Sequence, residues 1–271
     1  MADPTPDEEA ELEASKAPLL EHLVELRNRI IRSVIAFLVC FIVCFAFARP
    51  IFQFLTEPLA HALAGQANRQ MIFTALYEQF FTYVKVGMFG AICLAFPYMA
   101  SQLWLFIAPG LYKHERRAIL PFLLATPVMF IIGAAFVYYL MLPRAIQFFL
   151  SYEIPSGGPN TIAIQLMPRV GEYLSFVMTL IFAFGFCFEM PVLLTLLGRV
   201  GIVTSKGLAG VRRYAIVGVF VVAAVVTPPD VFSQLSLAIP LVALYEISIL
   251  CVKLMEKQRA AEEAKAAAAT T

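Results

Sequence analysis

LSFVMTLIFAFGFCFEMPVLLTLL, residues Leu174 to Leu197, is long enough to cross a bilayer and carries one charge, Glu189. About twenty apolar residues in helical form span a hydrocarbon core of about 30 Å. This stretch therefore decides the fold class: an all-α integral membrane protein. A carboxylate at that depth is costly and reads as a site. Pro191 follows two residues later and cannot donate to the carbonyl of Cys187, so a bend is expected beside the acid.

The rest of the chain has the same character. Hydrophobic residues make up 61% and charged residues 14%, with a mean hydropathy of +0.80, too few polar groups to cover a water-soluble globule of 271 residues. Apolar runs predict six spans, near Ile30 to Ala48, Phe80 to Ile107, Ala118 to Leu142, Gly171 to Leu197, Tyr214 to Val226, and Leu235 to Val252. The fifth has thirteen residues, about 20 Å of helix, so the last two helices are expected to be short and to need local bilayer thinning or burial against neighbours. Three regions follow. Residues 1–18 are an acidic polar extension without the pattern of a cleavable signal, 19–252 are the six-helix domain, and 253–271 are an Ala/Glu/Lys-rich tail expected as frayed helix or disorder.

Basic residues set the orientation. Fifteen of the twenty Lys and Arg fall before or at the start of the first span, after the second, after the fourth and after the sixth, whereas Arg49, Arg69, Arg144 and Arg169 lie on the other side and Lys85 sits within a span. The positive-inside rule then places both termini in the cytoplasm. On the outer side, Ile51, Phe52, Leu55, Leu59 and Leu63 recur at helical spacing and predict an amphipathic helix along the surface. Pro155 to Pro159 is a turn-forming cluster, and only Thr227 to Asp230 separate the last two spans, a tight hairpin. The five cysteines lie in apolar runs and read as small packing residues. His22, His61 and His114 are scattered, so neither metal nor cofactor is expected. No nucleic-acid partner is expected either.

Two surface acids stand out on the basic side. Glu25 sits on an amphipathic helix start, Leu19 to Ile30, where the plainer reading pairs it with Arg29 four residues on. Glu115 lies among Lys113, Arg116 and Arg117, where the plainer reading is an anchor neutralised by its neighbours. The sharper reading makes the two acids a receptor for a pair of guanidinium groups, each held by bidentate hydrogen bonds that lysine cannot copy.

The string His22, Leu23, Glu25, Leu26, Arg27, followed by Phe106, Ile107, Ala108, Pro109, Leu111, Tyr112, Lys113, His114 and Glu115, resembles the TatC family, the multispanning core of the twin-arginine protein translocase. The resemblance continues through Tyr173 to Met178, Phe184, Gly185, Phe188, Glu189 and Pro191, then Thr227 to Gln234, Ala238, Ile239 and Pro240, and covers about Leu19 to Val252. It implies a receptor rather than an enzyme. Glu25 and Glu115, with Leu26, Arg27, Phe106, Leu111 and Lys113, would bind twin-arginine signal peptides. TatA- and TatB-type single-span partners and further copies of the chain would assemble with it in the bacterial inner membrane, and the proton motive force would drive export of folded proteins. Glu189 would sit in a concavity within the bilayer, protonated or hydrogen-bonded to a guest rather than ion-paired within the chain.

Other polar residues have milder readings. Asp230 suits a helix N-cap, Gln234 one turn on is a candidate partner contact, and Glu246 divides evenly between structural pairing and partner contact. The last two spans are expected to dock the single-span partners through outward positions such as Val219 and Leu244. Two rivals are weaker. A proton-coupled secondary transporter using Glu189 would show an internal repeat, and none is visible. An intramembrane hydrolase would need a nucleophile and base, or paired aspartates, at membrane depth.

Overall fold

A backbone in lipid must satisfy its own hydrogen bonds, and this chain does so with helices. The computed structural model describes residues 6–64, 70–107, 116–154, 162, 164–226 and 231–269. In chain order these form α1 (Pro6–Ala46), α2 (Ala48–Ala62), α3 (Glu78–Ile107), α4 (Arg116–Phe136), a π-helical turn (Val137–Met141), α5 (Leu142–Leu150), α6 (Val170–Cys187), α7 (Met190–Val200), α8 (Ser205–Val226) and α9 (Val231–Ala269). Six stretches are long and apolar enough to cross a membrane: His22–Ala46, Glu78–Phe106, Pro121–Leu150, Val170–Arg199, Ser205–Val226 and Gln234–Ala261. Among the described residues there is no strand, only isolated bridges between Ile72 and Arg169 and between Ile154 and Ile164. The six-span, all-helical fold expected from the sequence is the fold observed.

Boundaries differ in instructive ways. The third span continues through Pro143 to Leu150, because the π-helical turn just before the proline rearranges the backbone hydrogen bonding that the missing N–H would otherwise break. The expected shortness of the last two helices holds only for their apolar segments, since α8 has 22 residues and α9 has 39. Lys206, Arg212 and Arg213 end an apolar run without ending a helix, and Glu256 accepts the Ser205 N–H at 2.8 Å, capping the extended α8. The Ala/Glu/Lys-rich tail continues α9 to Ala269, as good helix formers do when a helix already precedes them. The turn cluster at Pro155 to Pro159 and the hairpin at Thr227 to Asp230 lie outside the described residues.

The fourth span is the centre of the packing. Leu174, Val177, Leu180 and Phe184 of α6 are fully buried against Leu55 and Leu59 of α2, Val86 of α3, Val137, and Leu237 and Leu241 of α9. Glycine lets α4 and α6 approach closely: a methyl on Gly133 would lie 2.8 Å from the Phe184 carbonyl oxygen, and one on Gly185 would lie 2.5 Å from the Phe130 ring. α1 packs on α3 through one face, where Gly87 meets Phe45 and Gly90 meets Cys44, and leaves Ile35, Val39 and Ile42 exposed for lipid.

One face of the molecule is tied by polar bonds. The amphipathic helix predicted there is α2, which buries Leu55 and Leu59 while Tyr138 donates to the Phe54 carbonyl at 2.8 Å and Tyr173 to the Leu55 carbonyl at 3.1 Å. Glu78 accepts the backbone N–H of Thr74 at 2.8 Å and of Gly171 at 3.3 Å, joining the starts of α3 and α6. Arg169 adds contacts to Glu172 at 2.8 Å and to Thr74 at 2.5 Å, and Val170 donates to the Ile72 carbonyl at 3.0 Å.

Candidate functional site

Pro191 does what its place in the sequence implies. α6 stops at Cys187 and α7 starts at Met190, leaving Phe188 and Glu189 in a tight turn where the Glu189 N–H reaches the Phe186 carbonyl at 3.1 Å. The break directs the Glu189 side chain inward. It is 6% exposed, and neither carboxylate oxygen has a hydrogen-bond partner of good geometry among the described residues, although Thr126 and the Phe130 backbone lie near. No ion pair reaches it among the described residues, as the lack of a basic neighbour in its span suggests.

Glu189 forms part of the wall of an open groove of about 760 Å³ enclosed by α1, α3, α4 and the broken fourth span. Leu26, Arg29, Gln102, Phe106 and Thr126 share this wall, and most of the remaining lining is apolar. Thr126 accepts the Trp104 indole N–H at 3.0 Å, fixing α3 to α4. At the mouth, Arg29 donates twice to one oxygen of Glu25, at 3.0 and 2.5 Å. The His22 ring lies 3.9 Å from the other Glu25 oxygen and stacks on Phe106 with centroids 4.2 Å apart, which binds the start of the first span to the end of the second.

The structure thus brings Glu25, Leu26 and Phe106 together at one end of the groove and Glu189 at its depth. The plainer pairing of Glu25 with Arg29 is present. Arg27 is exposed and does not line the groove, pointing its guanidinium at Asn28, 3.5 Å away. Leu111, Lys113, Glu115 and Asp230 lie outside the described residues. Gln234 donates to the Phe220 carbonyl at 3.4 Å. Glu246 is held by Arg212 of α8, at 2.7 and 3.0 Å, so structural pairing occupies it. Two expected outward positions are corrected: Leu244 is buried in the central cluster, and Val219 is half-buried against it, because α9 turns that face toward α6 and α8. Val217, Val221 and Val225 are among the outward residues of α8.

Gln102 is the residue sequence reasoning missed. It is 8% exposed, and its side-chain carbonyl oxygen has no partner among the described residues. An uncharged amide within an apolar run barely disturbs hydropathy. The signal that finds it is its membrane depth, five residues before the end of α3.

Comparison with known proteins gives a consistent result. Residues 21–240 match the family model for Sec-independent protein translocase protein (TatC). The TatC protein of Magnetococcus marinus is 50% identical over 249 residues, covering 92% of this chain and 89% of that one. The Escherichia coli K12 TatC protein is 40% identical over 232 residues, 86% of each. A crystal structure described as twin arginine translocase receptor TatC superposes with a TM-score of 0.74 at 40% identity, covering 87% of this chain and 99% of that one.

Proposed function

The chain belongs to the TatC family of Sec-independent protein translocase subunits, and from that premise we propose that it receives twin-arginine signal peptides at the groove mouth. Glu25 and Glu115 take the two guanidinium groups, with Leu26, Arg27, Phe106, Leu111 and Lys113 around them. The apolar part of the peptide enters the groove toward Glu189. Both termini and the mouth face the cytoplasm of a bacterial inner membrane, TatA- and TatB-type single-span proteins and further copies of the chain complete the machine, and the proton motive force drives it.

The observation that supports this reading is the continuity of the groove. It begins at Arg29, hydrogen-bonded to Glu25, and reaches a buried carboxyl group without a hydrogen-bond partner of good geometry among the described residues. Glu25 is held before the guest arrives, so an incoming arginine must displace Arg29. A partly exposed ion pair between residues four apart contributes only about 0.3–0.5 kcal/mol. A forked guanidinium making charge-assisted hydrogen bonds of about 1.5–3 kcal/mol each in the partly dry headgroup region can therefore compete. Lysine has the charge without the fork.

Binding of a twin-arginine peptide to the purified full chain tests the proposal. A twin-lysine peptide should bind at least about tenfold more weakly. Glu25→Ala and Glu115→Ala should each weaken twin-arginine binding, and together they should approach the twin-lysine level. Unchanged affinity in both single variants would move the receptor site elsewhere.

A further inference from the structure

The groove contains an anomaly that an apolar guest alone does not resolve. Gln102 and Glu189 are each more than nine-tenths buried, both line the groove, and each presents oxygen without a hydrogen-bond partner of good geometry among the described residues, with Thr126 and the Phe130 backbone near Glu189. An unpaired buried acceptor is tolerated poorly, and the penalty grows when a guest expels the last water from around it. A purely hydrocarbon segment seated in the groove would seal both acceptors off. A segment carrying neutral N–H or O–H donors at matching depths would pair them. A charged donor pairs them too, but bringing it to mid-membrane costs far more than bringing an amide or hydroxyl.

We propose that Gln102 and Glu189 form a two-point polar filter, which makes the groove select apolar segments containing neutral hydrogen-bond donors (Ser, Thr, Asn or Gln) over uniformly hydrocarbon ones. The proposal rests on the signal-peptide reading and adds a second layer of specificity to it. The paired arginines are read at the mouth and the composition of the apolar stretch is read inside. Selection works by rejection, since a site with buried polar groups discriminates strongly against a guest that leaves them unpaired. The two acceptors are set by different helices, Gln102 by α3 and Glu189 by the break of the fourth span, so a guest meets them on different walls of the groove. A guest that satisfies its own backbone in this dry groove is helical, so a donor at one position faces one wall and the two acceptors are met from different positions along the guest.

The test uses the full chain in lipid nanodiscs and synthetic peptides with a twin-arginine start followed by a leucine/alanine stretch. A single glutamine or serine is scanned along that stretch. In the unaltered protein, discrete scan positions should bind at least tenfold more tightly than the donor-free peptide. Gln102→Met, close in volume and without the amide, should abolish one optimum and leave the one that Glu189 supports. Glu189→Leu should do the reverse. A flat scan in the unaltered protein overturns the filter without any substitution, and so does a scan unchanged by Gln102→Met. Twin-lysine versions run in parallel keep the two readings separate. If lysine is discriminated against but the scan is flat, the filter fails and the receptor survives. If lysine binds as well as arginine, the receptor reading fails first.

Discussion

The first and fourth spans are similarly apolar runs of sequence, yet 50% of the most apolar window of the fourth is buried within the protein and only 6% of that of the first. Apolarity alone reports that a helix avoids water. It does not distinguish lipid from protein as the neighbour. What distinguishes these spans is the detail between the large side chains. The fourth has Gly185 against Phe130, the Glu189 acid, and a proline that divides it into α6 and α7. The first presents Ile35, Val39 and Ile42 to lipid as a smooth wall. The central span can hold a costly acid beside a broken helix because neighbours on several sides fix its position, whereas the outer span supplies one wall of the groove and its mouth.

The sharpest way to break this contrast is at Glu189. Glu189→Arg and Glu189→Ala should each reduce export of a folded reporter by at least about tenfold, while Glu189→Gln, which still offers hydrogen bonds, should stay within about threefold. Equal loss in all three would mean that a negative charge is obligatory. Packing is the next test. Phe184→Ala should lower unfolding free energy in detergent by about 3 kcal/mol, the low end for a buried phenylalanine because lipid contributes no water-exclusion term. Ile42→Ala, on the lipid-facing wall, should change it by less than about 1 kcal/mol.

Glycines refine the comparison further. Gly133→Ala forces a methyl toward the Phe184 carbonyl and should cost about 1–3 kcal/mol. Gly218→Ala on α8, with nothing within 4 Å, should be neutral or stabilising by about 0.4–1 kcal/mol in the same unfolding measurement. The smallest effect on folding should come from bulky apolar changes at Val221 or Val225, also on α8. These should leave stability unchanged and show only as loss of co-purifying single-span partners; undiminished co-purification would move the docking surface off this helix.

Much of this molecule is legible from its residues. Long apolar runs identify all six spans, and Pro191 two residues after Glu189 locates the break to within a residue. Other features resist for physical reasons. Pro143 reads as a stop because its missing N–H opposes a regular α-helix, but one wider turn keeps the span going to Leu150. Arg212 and Arg213 read as the end of a span because charge opposes lipid, but α8 continues through them, and the same Arg212 accounts for Glu246. Facing is harder still, since Leu244 and Val217 look alike until their neighbours are known. Gln102 escapes for the opposite reason: carrying no charge, it gives no sign of itself until burial and an empty hydrogen-bond site are seen together.

The polar ties around Glu78 have a mechanical consequence. They fasten the loop before α3 to the start of α6, and the Ile72 and Val170 backbones close the same seam. The groove mouth lies at the other end of α3, where the described contacts across it are a stacked His22–Phe106 pair and side chains rather than a backbone seam. A guest entering between Arg29 and Phe106 therefore parts side-chain contacts and leaves the backbone seam at the far end of α3 intact.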